Sequence, residues 1–147
     1  MSTHPAGYSG TPLPGKLGIK PGHRLAFFHA PDGFAATLGA LPEGVEMVHD
    51  DAGAVDLAVF FTARADALPV AFQRIGPRVH PAGTLWIAWP KKAAKVATDV
   101  TEDVVRAVGL REGMVDVKVC AIDAVWSGLK FVYRLADRPV AGRRGAA

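Results

Sequence analysis

Apolar runs one strand long alternate along the chain with stretches in which apolar residues recur every three or four positions, the pattern of an α/β protein. The most pronounced run, Thr84-Leu85-Trp86-Ile87-Ala88-Trp89, stops at Pro90 and the adjacent ammonium groups of Lys91 and Lys92. It reads as a central strand covered on both faces. Residues 23–29 (HRLAFFH), 45–49 and 56–62 (DLAVFFT) predict three further strands. Between them fall a short helix after Thr11-Pro12, stopped at Gly18, and a helix that Asp32 would cap, running to Leu41. A third helix covers residues 66–79, with Leu68, Phe72 and Ile75 at core spacing and Pro69 in the first turn, where proline is tolerated. Asp99 and Glu102 have the spacing of a capping box, opening a helix with Val100, Val104, Val105 and Val108 on its apolar side. That helix should end near Gly109, with Arg106 late enough to complement the dipole. Residues 114–122 then place Val115, Val117, Val119 and Ala121 on one face, and residues 129–135 alternate Leu129, Phe131, Tyr133 and Leu135 with Lys130, Val132 and Arg134. Joined by residues 123–128, these two stretches predict an antiparallel hairpin at the sheet edge.

The expected fold is a three-layer, Rossmann-like α/β sheet of four mostly parallel strands plus a C-terminal antiparallel hairpin. A single domain over residues 8–136 would hold it, with residues 1–7 disordered and 137–147 a flexible basic tail. One connection constrains the topology. Residues 50–55 are too few for a helix between the second and third strands. If the third strand lies beyond the first, the link must cover about 20 Å with a reach of roughly 23 Å, so it runs nearly extended. Otherwise the second strand is a frayed edge or pairs antiparallel.

Half of the 147 residues are hydrophobic, enough for one substantial core. No apolar run approaches the roughly 18 residues that a membrane helix needs, and the first residues lack the basic and apolar regions of a signal peptide. A cytoplasmic protein is expected. The sole cysteine, Cys120, rules out an intrachain disulfide and a thiolate-rich zinc site. The formal charge of +3 invites a nucleic-acid reading, but much of the excess lies in Arg134, Arg138, Arg143 and Arg144, in or beside the tail.

The predicted order of elements resembles the class I methyltransferase version of the Rossmann-like fold, which also ends in a hairpin. Leu17-Gly18-Ile19-Lys20-Pro21-Gly22-His23-Arg24-Leu25 is similar to the approach to the cofactor loop of those enzymes. Where they carry an acidic residue and a glycine-rich turn, this chain has His29-Ala30-Pro31-Asp32-Gly33-Phe34. A second resemblance covers residues 8–135. The phrases Tyr8-Ser9-Gly10-Thr11-Pro12-Leu13, Trp89-Pro90-Lys91-Lys92, Val115-Asp116-Val117-Lys118-Val119-Cys120 and Trp126-Ser127-Gly128-Leu129-Lys130 resemble those of a bacterial family catalogued as domain-of-unknown-function family 3052. That family implies no activity.

Ligands of open α/β sheets sit outside the carboxyl ends of the parallel strands. On the predicted topology that rim gathers His29, Asp32, His49, Asp50, Arg64, Lys91 and Lys92, a set suited to a small anionic or zwitterionic ligand. The histidines show no metal-binding spacing; His29 and His49 could meet on neighbouring strands with Asp50 to complete a site, but core or surface histidines are the better reading, and Cys120, on an apolar strand with Lys118 its only local basic neighbour, is not expected to be a nucleophile. Asp123 should bond the N–H groups of its turn. Trp126 and Tyr8 are candidates for contact with a partner protein. With no catalytic signature and no cofactor required by these residues, the sequence points to a non-catalytic module binding a small ligand or a protein. The alternative is an S-adenosylmethionine-dependent, methyltransferase-like enzyme with a degenerate cofactor loop.

Overall fold

The computed structural model describes residues 12–49 and 53–134. Along the chain these form α1 (Leu13–Leu17), β1 (Arg24–Phe28), α2 (Phe34–Leu38), β2 (Glu46–Met47), β3 (Val55–Phe61), α3 (Leu68–Ile75), β4 (Val79–Pro90), α4 (Glu102–Arg111), β5 (Met114–Ala121) and β6 (Trp126–Tyr133). The strands make one sheet in the order β2-β1-β3-β4-β6-β5. The first four are mutually parallel, and β6 and β5 close the edge as an antiparallel pair. This is the expected fold class.

The sheet has helices on both faces because the chain changes direction across it. From β1 it moves one way through α2 to β2, and from β3 it moves the other way through α3 to β4. Right-handed crossovers in opposite directions place their helices on opposite faces. One apolar layer therefore packs α1 and α2 against Leu25, Leu57, Phe61 and Trp86, and the other packs α3 and α4 against Ala58, Leu85, Ile87 and Phe131. Trp86 is fully buried at the centre of β4, and its indole N–H donates to the Leu17 carbonyl at 2.9 Å, fastening α1 to the sheet.

The second strand is short but parallel. Glu46 and Met47 pair with Arg24 and Leu25, and Val48 extends the contact by donating to the Leu25 carbonyl at 2.7 Å. Thus β3 does lie beyond β1, the first of the two expected arrangements; residues 50–52 of the link lie outside the described residues. So do Tyr8, Asp50 and both predicted termini.

Several local expectations are overturned. Asp32 does not cap α2: the cap position is Gly33, at φ 81°, with no side-chain bond, and the helix ends at Leu38 rather than Leu41. Asp99 does not open α4. Thr101 is the cap, its hydroxyl accepting from the Val104 N–H at 3.2 Å, while the Asp99 carboxylate accepts from the Ala65 N–H at 2.8 Å and braces the start of the α3 segment. The α4 helix continues through Gly109 to Arg111, leaving Arg106 near its middle. There Arg106 bonds Glu102 at 2.6 Å and Asp103 at 3.2 Å on its own helix and Asp116 of β5 at 2.9 Å, which pushes its pKa up. The predicted helix over residues 66–79 is α3 between two short 3-10 turns, and Val79 already belongs to β4.

The predicted valine face of β5 is wrong in a way that has a local cause. Val117 is 54% and Val119 50% exposed. Pairing with β6 shifts between Asp116 and Lys118, so Val117 is the extra residue of a bulge, and a bulge reverses which face later residues occupy. Met114 joins the core under α4, whereas after the bulge it is Cys120 and Ile122 that pack on the α1 side.

Candidate functional site

The carboxyl ends of the parallel strands form the expected rim, and the order of the chain reverses between β1 and β3, the point at which such sheets bind ligands. The loop leaving β1 is bent at both ends: His29 has φ 60° and Gly33 φ 81°. The left-handed region costs little for glycine but strains a histidine, and such strain collects at functional positions. A Cβ at Gly33 would meet nothing within 4 Å, so the loop is open to solvent there. The His29 ring stands edge-on to Phe60 of β3, with centroids 5.4 Å apart, across the switch point itself.

The loop separates two crevices. On the α2 side, Phe27, Pro31, Asp32, Leu38 and Met47 line a space of about 500 Å³. Behind it runs a row of edge-to-face rings, Phe27 on Phe34 at 5.3 Å, Phe34 on Phe61 at 5.0 Å and Phe61 on Trp126 at 5.2 Å. Trp126 thus forms part of a wall beneath the rim, half-buried, with its backbone N–H held at 2.8 Å by the Asp123 carboxylate. The Asp123 turn is as the sequence indicates. On the α3 side, His29, Phe28 and Phe60 border a second crevice, reaching down to Arg74 and Arg78.

The remaining rim candidates are spread along the sheet. His49 is exposed at the end of β2. Arg64 turns to Asp66, with bonds of 3.1 and 2.6 Å between exposed side chains; this hydrogen bonding raises the Arg64 pKa and lowers that of Asp66. Lys91 and Lys92 leave β4, which β3 separates from β1, a distance of roughly 10 Å at ordinary strand spacing. The Lys91 N–H donates to the Val125 carbonyl at 2.7 Å, and Lys92 lines a separate crevice with Thr98, Thr101 and Glu102. The structure therefore brings His29 and Asp32 onto one loop and leaves the lysines apart from them.

Sequence reasoning missed two features. Val70, Arg74 and Arg78 recur at helical spacing beside the predicted apolar stripe, a signal that was present but unread. At the opposite end of the strands His23, His80, Lys20 and Lys130 line a polar crevice, where burial, with Lys118 and Lys20 nearby, lowers the pKa of Lys130. Among the described residues no three His, Cys, Asp or Glu side chains gather as metal ligands, and no helix is long and apolar enough to cross a membrane.

Burial raises the pKa of the Cys120 thiol, against the lowering effect of Lys16, Lys118 and Lys91. Its thiolate fraction near pH 8 is accordingly below that of free cysteine. Iodoacetamide should alkylate it several-fold more slowly than free cysteine at pH 8, the rate climbing only at higher pH. Mass spectrometry over time measures this, and a rate matching free cysteine would contradict it.

No family model and no curated protein sequence matches the chain, so the likeness to family 3052 rests on the quoted phrases alone. Solved structures do match in fold. Magnesium protoporphyrin IX methyltransferase from Synechocystis PCC 6803, with bound S-adenosylmethionine, gives a TM-score of 0.56 at 9% identity over 83% of this chain and 74% of that one. A ribosomal protein L11 methylase from Lactobacillus delbrueckii subsp. bulgaricus gives 0.55 at 12% identity over 83% and 75%. Fibrillarin from Aeropyrum pernix, in complex with S-adenosyl-L-methionine, gives 0.53 at 14% identity over 86% and 70%. At these identities the likeness is one of architecture: the chain has the Rossmann-like fold of the class I methyltransferases.

Proposed function

We propose that this chain binds S-adenosylmethionine at the switch point between β1 and β3 and is a methyltransferase-like protein with an altered cofactor loop. The observation that carries the reading is the backbone of that loop, left-handed at His29 and Gly33, where the parallel strands reverse order. A loop held in this shape without its first glycine implies that the shape itself is kept, since a histidine there costs of order 1 kcal/mol or more. The residues present suit part of such a ligand. Phe27 and the aliphatic walls of the α2-side crevice can take a nucleoside face, and Asp32 offers a carboxylate to a sulfonium or an amine. Pro31 removes one N–H donor from the loop. The fold of the structural neighbours supports this reading over the non-catalytic one.

Titration calorimetry with S-adenosylmethionine and S-adenosylhomocysteine tests it. Saturable micromolar binding is expected, weakened at least tenfold by Gly33→Val, because a β-branched residue resists φ 81°. A ligand present at 100 times its Kd should stabilise the protein by about 2.7 kcal/mol, seen as a rise in Tm. The absence of both heat and thermal shift with either compound would refute the proposal.

A second reading, a module that binds without turning over, draws on one observation. The rim places Lys91 and Lys92 two strands from the loop and ties Arg64 to Asp66, so none of these cations joins His29 and Asp32. Binding without transfer of a labelled methyl group to any acceptor would favour it, with Trp126 and Tyr8 as candidates for partner contact.

A further inference from the structure

The sheet is covered unevenly. Both α3 and the link from β2 to β3 run in the direction that places a right-handed crossover on the same face, but the link is too short to form a helix. On that face Val48 packs in the α3-side core, and the Gly53 carbonyl accepts a 2.9 Å bond from Arg78 Nε. Among the described residues, the α3 side of β1 lies open beside α3. The result is a groove of about 430 Å³, within the range of small-molecule sites.

The groove has an apolar floor and a cationic end. Phe28 and Phe60 of the sheet and Val70, Ala71 and Ile75 of α3 form its walls, and Val70 is 50% exposed. Arg74 and Arg78 border its lower end, and no carboxylate appears among its described lining residues. The Arg78 guanidinium lies 5.8 Å from the Phe28 ring centroid. Its Nη2 is buried yet makes no hydrogen bond among the described residues. A buried guanidinium N–H without an acceptor is unfavourable, and an anionic oxygen is the partner that best relieves it.

We propose that this groove binds an amphipathic carboxylate, its anionic head on Arg78 and Arg74 and its apolar body along Phe28, Phe60 and Val70. The groove borders His29 of the proposed cofactor loop but lies on the opposite side of that loop from the crevice of Phe27 and Asp32, and its head-group contacts, Arg74 and Arg78, take no part in the cofactor proposal. Charge complementarity and an Nη2 with no acceptor among the described residues select the head group; the aromatic and aliphatic walls select the tail.

Calorimetric titration of the full chain with decanoate, decanol and acetate tests the proposal. One decanoate should bind per chain, at least tenfold more tightly than either decanol or acetate. Arg78→Gln should weaken it tenfold or more, as expected for loss of a charge-assisted bond. Val70→Trp should block the groove from an exposed helix position, with thermal unfolding confirming that the variant folds; Arg74→Gln gives a second reading of the head-group contact should Arg78→Gln unfold. Failure of decanoate to bind below its micellar concentration overturns the proposal, as does equal binding of decanol or insensitivity to Val70→Trp. Binding seen only in an Asp50→Asn, Asp51→Asn double variant also overturns it, because the chain's own carboxylates would then hold the arginines.

Discussion

Replacing Trp86 with alanine will lower the free energy of unfolding by about 3–5 kcal/mol, the range for deleting a large buried aromatic side chain. Trp86 is fully buried in β4, in register with Val59 of β3 and Lys130 of β6. The chain is shaped around its ring. A Cβ at Gly128 would lie 3.0 Å from Trp86 Cε3, so the glycine in β6 makes room for the indole. Its N–H also satisfies the Leu17 carbonyl at the end of α1. Trp86→Phe separates the two contributions: it keeps most of the ring but leaves a buried carbonyl unpaired, at a cost of about 1–3 kcal/mol. Urea unfolding measures both, and faster amide exchange around residues 17–19 should accompany either change. A loss below about 1 kcal/mol for the alanine variant would show that the core collapses around the gap, contrary to this account.

Gly109→Ala will destabilise the protein by about 2 kcal/mol although it improves helix propensity by about 1 kcal/mol. Gly109 lies inside α4, where alanine is ordinarily the better residue. Here a Cβ would overlap Phe131 Cε1 and lie 2.6 Å from its Cζ. That ring is fully buried and edge-on to Phe72 with centroids 4.9 Å apart, so it has nowhere to retreat. The helix must lift off the sheet or the ring must leave its rotamer, and either costs more than the propensity gain. In a Phe131→Leu background the same substitution should become neutral or stabilising, because the clash has been removed. Urea denaturation of the four-member cycle reads this coupling directly, and destabilisation of equal size in both backgrounds would disprove the clash.

The architecture was legible because it depends on pattern over long stretches. The run ending at Pro90-Lys91-Lys92 and the alternating hairpin imply parallel strands with an antiparallel edge, as observed, whereas the short link after His49 left open where the second strand lies and which way it runs. Local punctuation was less legible. Asp32 and Asp99 are good caps by type, yet Gly33 and Thr101 occupy those positions, since the cap depends on where the chain can turn against the sheet. Arg106 stood at i+4 from Glu102 and i+3 from Asp103, so half of its ion-pair set was readable; Asp116 was not, because it arrives from another element. The rim was read as one site, but strand order divides it, setting His29 and Asp32 on one loop and Lys91 and Lys92 beyond β3.

The sequence by itself determined which segments are strands, which connections must cross over, and that one strand carrying two tryptophans lies at the centre. These follow from burial and chain reach, which act residue by residue. Only the tertiary structure decided which side chains face one another. The bulge at Val117 turned a valine stripe outward, the left-handed His29 set the shape of the β1 loop, and β1, β3 and α3 together frame a groove bordered by Arg78. Each arises from elements far apart in the chain meeting in space, so no local pattern records it.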